Sequence, residues 1–456
     1  MRHRLAIVCL ATGLAGCSAN PLSLLDEATN AASQTACTAQ FVSHVSPQDA
    51  LVKELLPEPG MGAIGWALNT TVDRDKAEAR STIAGGFASR AVYREGRGCT
   101  LVHDDRMPAA LKPSSPAPQL LPEIAGPEIV HAASPALAAA VDAAFDEQAG
   151  QAPRATAAVV VVHGGRVIAE RYAPGYGIDT PLSGHSIAKS VVNALIGVLV
   201  REGRLDVTEP AAVPEWRGDA RAAITLDNLL RMDEGFGFDE GGGPSIATHM
   251  WYTQADTAHF AAGAALLSPP GQKWGYSSRA YTVLSRIVGD SIGGGPQGVS
   301  DFAHREIFDP LGMRHVTIHF DQAGTMQGAW SVLATPRDWA RFGLLYLSDG
   351  VAAGHRILPG GWVHYSTTPT LATGYGAGFW LNQTDAALTE WDMRWGIPGA
   401  PTDAFMARGY MGQYIVIVPS RNLVIVRFGF SHGPGADIAG VGRLVHDVIA
   451  TLPAEN

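Results

Sequence analysis

The run Gly184-His185-Ser186-Ile187-Ala188-Lys189-Ser190-Val191-Val192-Asn193-Ala194-Leu195-Ile196-Gly197-Val198-Leu199 places a hydroxyl and an amine three residues apart, at the start of a segment that is apolar on nearly every side. With Val191, Val192, Leu195, Ile196, Val198 and Leu199 distributed around its axis, the spacing predicts a helix over residues 186–205 buried in the middle of a domain. Upstream, residues 157–162 are an apolar run closed by Gly164-Gly165, and residues 166–172 alternate, which predicts a hairpin. The Gly- and Pro-rich residues 174–184 then predict a loop into the helix. Downstream, residues 206–350 read as mostly helical, with breaks at 235–243, Pro269-Pro270-Gly271 and 293–296. Strands follow at 405–409, 414–418 and 423–428, and a last helix over 438–452. Strands at both ends with helices between them predict an α+β architecture whose sheet joins distant segments.

The chain has 456 residues, and 33 Lys+Arg against 43 Asp+Glu give a formal charge of −10. With no basic cluster, that balance argues against a nucleic-acid partner. Hydrophobic residues at 46% and charged residues at 17% suffice for a large core and exclude a mostly disordered chain. Past the N-terminus no run of 18 uninterrupted apolar residues predicts a membrane span. Residues 1–16 read as an export leader: Arg2 and Arg4 precede an apolar run, and Leu14-Ala15-Gly16-Cys17 resembles the bacterial lipobox. Cys17 would then be lipidated, anchoring the protein to the periplasmic face of the cell envelope, with the outer membrane favoured by Ser18. Cys37 and Cys99 remain as one candidate disulfide or as two buried thiols. Residues 17–112 form a small N-terminal region without a usable motif, 113–130 a Pro-rich linker, and 131–456 the main domain. No Cys/His spacing suits a metal, so neither metal nor cofactor is expected.

Three segments carry chemistry. In Ser186-x-x-Lys189 the offset puts both side chains on one helix face, where a buried lysine at the positive helix end can take the hydroxyl proton. A serine at a helix start is more commonly a cap. Tyr276-Ser277-Ser278 stands at a second helix entry, with a phenol able to relay a proton and the Ser278 hydroxyl able to bond Lys189 or substrate; a cap serine beside a core tyrosine is the plainer reading. Ala407-Arg408-Gly409-Tyr410-Met411-Gly412 reads as a strand edge at which Gly409 admits a substrate backbone and the N–H groups of Tyr410 and Ser186 form an oxyanion hole. A plain hairpin turn accounts for those glycines equally well.

S-x-x-K, then Y-x-S about ninety residues on, then a glycine-bearing strand before the last helix resembles the serine β-lactamase and penicillin-binding-protein superfamily. Within it the chain is most similar to class C-type hydrolases of the 6-aminohexanoate-dimer hydrolase branch. Trp216-Arg217-Gly218-Asp219, residues 224–232, Pro310-Leu311-Gly312-Met313, residues 334–339 and residues 405–413 add to the likeness over roughly 150–456. The resemblance implies an antiparallel sheet flanked by helices with a mostly helical inserted subdomain. It also implies Ser186 as acyl-accepting nucleophile, Lys189 as its base, Tyr276 as acid/base and Ser278 in the proton network. Where penicillin-recognising relatives carry Lys or His two residues before the glycine, this chain has Ala407. The expected substrate is therefore a linear amide or ester, with β-lactams poor.

Other readings stay open. A β-lactamase or D-amino-acid peptidase of the same superfamily is one, and a non-catalytic binding lipoprotein another. An α/β-hydrolase built on Ser186, Asp403 and His432 is the third, although the loop before Ser186 does not suit it. Trp251 and Tyr252 either clamp an acyl chain or belong to the core. Asp233-Glu234 is expected to add negative charge beside the site and to favour neutral or cationic substrates.

Overall fold

A computed structural model describes residues 21–147, 153–240, 244–382, 396–432 and 436–453. The leader and Cys17 lie outside the described residues. The N-terminal region contains helix α1 (Pro21–Phe41) laid on a four-stranded antiparallel meander, β1 (Leu68–Asp73), β2 (Glu78–Ile83), β3 (Gly86–Arg94) and β4 (Gly98–Leu101). The helix buries small residues, Ala28, Ala31, Ala32 and Ala36 among them. Such a surface lets a helix approach a sheet closely without the large apolar stripe by which a helix announces itself in sequence. Cys37 of α1 and Cys99 of β4 are joined as a disulfide. Residues 103–134 hold no helix or strand and run along the larger domain, with the N–H groups of Leu120 and Leu121 donating to Pro310 O and that of Val130 donating to Glu170.

The larger domain begins with helix α2 (Pro135–Ala143) and the hairpin β5 (Thr156–His163) and β6 (Arg166–Tyr172). Gly164 and Gly165 take φ of 58° and 77°, the left-handed pair a two-residue hairpin turn requires. Next come β7 (Leu182–Ser183), α3 (Ile187–Arg201), α4 (Ile246–Thr253), α5 (Ser278–Ile292), β8 (Thr317–Ile318), β9 (Val332–Ala334) and α6 (Pro336–Leu347), among shorter helical turns. The chain closes with β10 (Trp380–Leu381), β11 (Phe405–Gly409), β12 (Gln413–Val418), β13 (Leu423–Gly429) and α7 (Ala436–Thr451).

The main sheet runs β10-β11-β12-β13-β5-β6 and is antiparallel throughout, the C-terminal β13 pairing with the N-terminal β5 in the register Val424↔Val162 and Val426↔Val160. Every residue of β12 and β13 is buried, as is nearly all of β5, because helices cover both faces; this is why these strands read as continuous apolar runs and not as alternation. Helix α3 is buried from Ile187 through Leu199, as its sequence requires. It spans 187–201, a turn shorter than the apolar pattern suggested.

Candidate active site

Ser186 occupies the cap position of α3, yet its side chain does not cap the helix. Its Oγ instead accepts from Lys189 Nζ at 2.9 Å. The same Nζ donates to Ser278 Oγ at 2.9 Å and to Ala329 O at 2.7 Å, and it lies 4.8 Å from the centre of the Tyr276 ring. At the start of α5 the capping task falls to Ser277, which accepts from the N–H of Ala280, so the Ser278 hydroxyl is left for Lys189. Asp239 completes that helix end by accepting from the N–H groups of Ser278 and Arg279 and pairing with the Arg279 guanidinium.

Next to Asp239, Glu240 accepts a hydrogen bond from Ser278 Oγ and lies 3.5 Å from Lys189 Nζ. Burial pushes its carboxyl above the usual range, with the lysine opposing. Sequence reading missed it; the available signal was an Asp-Glu pair beside the glycine run 241–243. Tyr276 interacts through its hydroxyl with Ser186 and Lys189, and burial raises its pKa, so it is present as the phenol. Trp380 stacks on its ring at 5.2 Å and Tyr375 meets it edge-on at 5.9 Å, fixing where the hydroxyl points.

Gly409 is explained differently from the expectation. A Cβ there would fall 2.1 Å from the carbonyl oxygen of Gly184, so the close approach it permits is to the chain's own backbone. The consequence is that the end of β11 lies against the segment leading into Ser186. Tyr410 follows at a turn, its ring 6.2 Å from that of His185. The two backbone segments that bear the candidate oxyanion amides are thereby brought together. His185, with φ of 45°, holds a left-handed backbone just before Ser186, and burial lowers its pKa to about 4, leaving it neutral near pH 7.

Above Ser186 opens a cavity of about 400 Å³. Trp251 and Tyr252 line it, with Trp251 stacked on Trp330 at 5.2 Å. The pair Asp233-Glu234 does not line it. Asp233 accepts from Asn228 Nδ2, while Glu234 is fully buried, with both carboxyl oxygens lacking a hydrogen-bond partner and its pKa pushed up to about 8. The acids on the cavity wall are Glu27, Glu54, Glu58 and Glu240, three of them from the N-terminal region. Ala407 is buried in the sheet and the Arg408 guanidinium lies over the Tyr414 ring, 5.6 Å from its centre. Asp403 binds Ser420 and His432 binds the carbonyl of Lys53, so these two do not form a triad with Ser186.

Comparison with known proteins identifies the family. A family model described as Beta-lactamase matches residues 141–447. The chain is 28% identical over 289 residues to a 6-aminohexanoate-dimer hydrolase of Paenarthrobacter ureafaciens, covering 60% of this chain and 72% of that protein. It is 27% identical over 292 residues to penicillin-binding protein 4 of Amycolatopsis lactamdurans, covering 54% and 71%. The solved structure of a putative 6-aminohexanoate-dimer hydrolase from Bacillus anthracis superposes with a TM-score of 0.54 at 20% identity, over 80% of this chain and 92% of that one, which speaks for the fold alone. With two thirds of its length matched, this chain belongs to the β-lactamase family and is a serine hydrolase.

Proposed function

We propose that the enzyme hydrolyses linear amides or esters through an acyl-enzyme, with Ser186 as nucleophile, Lys189 as general base and Tyr276 as the acid that serves the leaving group. The observation that carries this reading is the set of contacts around Lys189 Nζ. Nζ donates to Ser186 Oγ, Ser278 Oγ and Ala329 O and also meets the Tyr276 hydroxyl, an acceptor-rich setting that suits an ammonium. For the amine to act as a base one proton must leave first, and the Ser278 hydroxyl, which donates to Glu240, leads it to a carboxylate. Ser186 Oγ then attacks the carbonyl carbon as its proton passes to Lys189. The C–N or C–O bond breaks as Tyr276 protonates the departing atom, and Lys189 restores the phenol. Water attacks the acyl carbon, passes a proton to the Tyr276–Lys189 pair, and Ser186 recovers its proton as the acid leaves. The amides of Ser186 and Tyr410 receive the oxyanion.

Ala407 supports poor turnover of β-lactams, because a cation at that position would add a charge-assisted bond to the substrate carboxylate of about 1.5–3 kcal/mol. The leader ending in Cys17 supports an exported, lipid-anchored protein on the periplasmic face of the outer membrane, and the Cys37–Cys99 disulfide suits an oxidising compartment. Loss of labelling by radioactive palmitate in Cys17→Ser tests the anchor. Intact mass after exposure to a fluorophosphonate tests the nucleophile. A single adduct in the wild type and none in Ser186→Ala is expected, and an adduct that survives in Ser186→Ala would mean a different serine reacts.

A further inference from the structure

The cavity over Ser186 is shared between two parts of the chain. The hydrolase fold contributes Trp251, Tyr252 and Trp330, while Leu24, Leu25, Met61 and Ile64 of the N-terminal unit face the same space. Next to these lining residues stand large apolar side chains that are open to solvent. Leu22, 42% exposed, lies two residues before Leu24; Trp66, 75% exposed, lies two after Ile64; and Ile246, 45% exposed, follows the lining residue Ser245. The start of α4, where Ile246 stands, is held against α1, because Glu27 accepts from the Thr248 hydroxyl at 3.2 Å and pairs with His249 at 3.1 Å. The indole N–H of Trp66 donates to Ala63 O at 2.9 Å, so its ring can leave water without stranding a donor. No charged residue stands between Glu58 and Asp73, so the segment that carries Trp66 has no ion to desolvate.

We infer that this rim docks on the bilayer surface, with Leu22, Trp66 and Ile246 seated at the interface, so that esters or amides dissolved in the membrane reach Ser186 from the lipid side. The inference rests on the lipid-anchor and hydrolase readings above. What covers the rim follows from the tether. Four peptide steps separate Cys17 from Pro21, the first residue of α1, a reach of at most about 14 Å. An acyl group on Cys17 therefore keeps the start of α1, and the cavity wall that begins at Leu24, close to the bilayer. Whatever covers Leu22 must lie where Cys17 is anchored, which favours lipid over a protein partner. The residue types suit that place, since an indole combines an apolar body with a polar edge and settles at the level of the headgroups.

The experiment uses the lipidated protein starting at Cys17, reconstituted in phosphatidylcholine vesicles, because a chain with a formal charge of −10 would be repelled by anionic lipid. With phosphatidylcholine brominated along its acyl chains, part of the tryptophan fluorescence is expected to be quenched, and that part is expected to vanish in Trp66→Ser. Turnover of p-nitrophenyl palmitate dissolved in the same vesicles is expected to fall about tenfold in Leu22→Ser with Trp66→Ser, which removes apolar area from the lipid contact. Turnover of p-nitrophenyl acetate in water should stay unchanged and reports the amount of folded enzyme. Met107→Ser, at an exposed methionine of the segment 103–134, should alter neither readout. Quenching that is equal in the wild type and Trp66→Ser, or an equal fall in Met107→Ser, would overturn the docking and leave the anchor and the hydrolase standing. A dimer that Trp66→Ser dissolves would assign the rim to a second copy of the chain and overturn it as well. Absence of palmitate from Cys17 would overturn the anchor and the docking together, whereas quenching through Trp66 without turnover of any ester would overturn the hydrolase reading and entry from the lipid side.

Discussion

The two walls of the cavity over Ser186 are built on opposite principles. On the hydrolase side, polar groups are few and each is bound to the next: Ser186 to Lys189, Lys189 to Ser278, Ser278 to Glu240, with the Tyr276 ring held between Trp380 and Tyr375. On the N-terminal side, alanines and leucines stand among carboxyls on a helix and on the short helical turns that follow it. The first wall tolerates almost no substitution because proton transfer needs fixed atoms within hydrogen-bond reach. The two walls come from separate parts of the chain, joined at the Glu58–Tyr410 contact.

That division can be broken most severely at Lys189. Lys189→Ala should reduce kcat by about 10 000-fold on every ester alike, measured in steady state, since it removes the base without touching the wall. An equal loss confined to long-chain substrates would mean that the lysine acts in binding. The disulfide tests the other side. Cys37→Ser with Cys99→Ser opens a loop of 62 residues, and the loop-closure argument gives a destabilisation of about 4 kcal/mol. Calorimetry should show the N-terminal unit melting first.

Glu234 probes the interior beneath the catalytic wall. Its folded pKa is raised from 4.5 to about 8, so the folded state holds the proton more tightly than the unfolded chain does. The resulting stability is greatest at low pH and is lost as pH rises from about 4.5 to 8, after which the penalty is constant. The stability change caused by Glu234→Gln should therefore be more favourable at pH 8 than at pH 5 by about 3 kcal/mol, read from urea unfolding. Equal effects at the two pH values would show that the carboxyl is ionised in the folded state.

The mildest change is at Glu240. Glu240→Gln should lower kcat about 100-fold and abolish the acidic limb of the wild-type profile, along which activity falls as pH drops through the raised pKa of this carboxyl. A limb that persists unaltered in the variant would assign it to another group.

Much of the larger domain was legible because its constraints are local or periodic. The Gly164-Gly165 turn, the continuous apolar strands and the all-apolar α3 each leave a pattern within a dozen residues. The N-terminal unit was not legible, because α1 packs through alanines, which carry no strong period, and because the contacts of Arg97 with Asp321 and of Thr100 in β4 with Phe320 join parts of the chain more than two hundred residues apart. The charge beside the site was assigned to Asp233-Glu234 on position alone. Burial, which no sequence states, keeps those carboxyls inside the fold and leaves Glu240, Glu54 and Glu58 at the cavity.

By itself, then, the sequence determined the helix on which a hydroxyl and an amine stand three residues apart, the strands that flank it along the chain, and the order of the three motifs. Each rests on spacing along one helix or strand, which the chain carries in its covalent order. Only the tertiary structure decided that Ser277 takes the cap and frees Ser278, that Gly409 makes room for Gly184, and that residues near 54 and 58 overhang Ser186. Those outcomes depend on packing between segments that meet once the core has closed, and packing is a property of shape and volume that pairs of distant residues settle together.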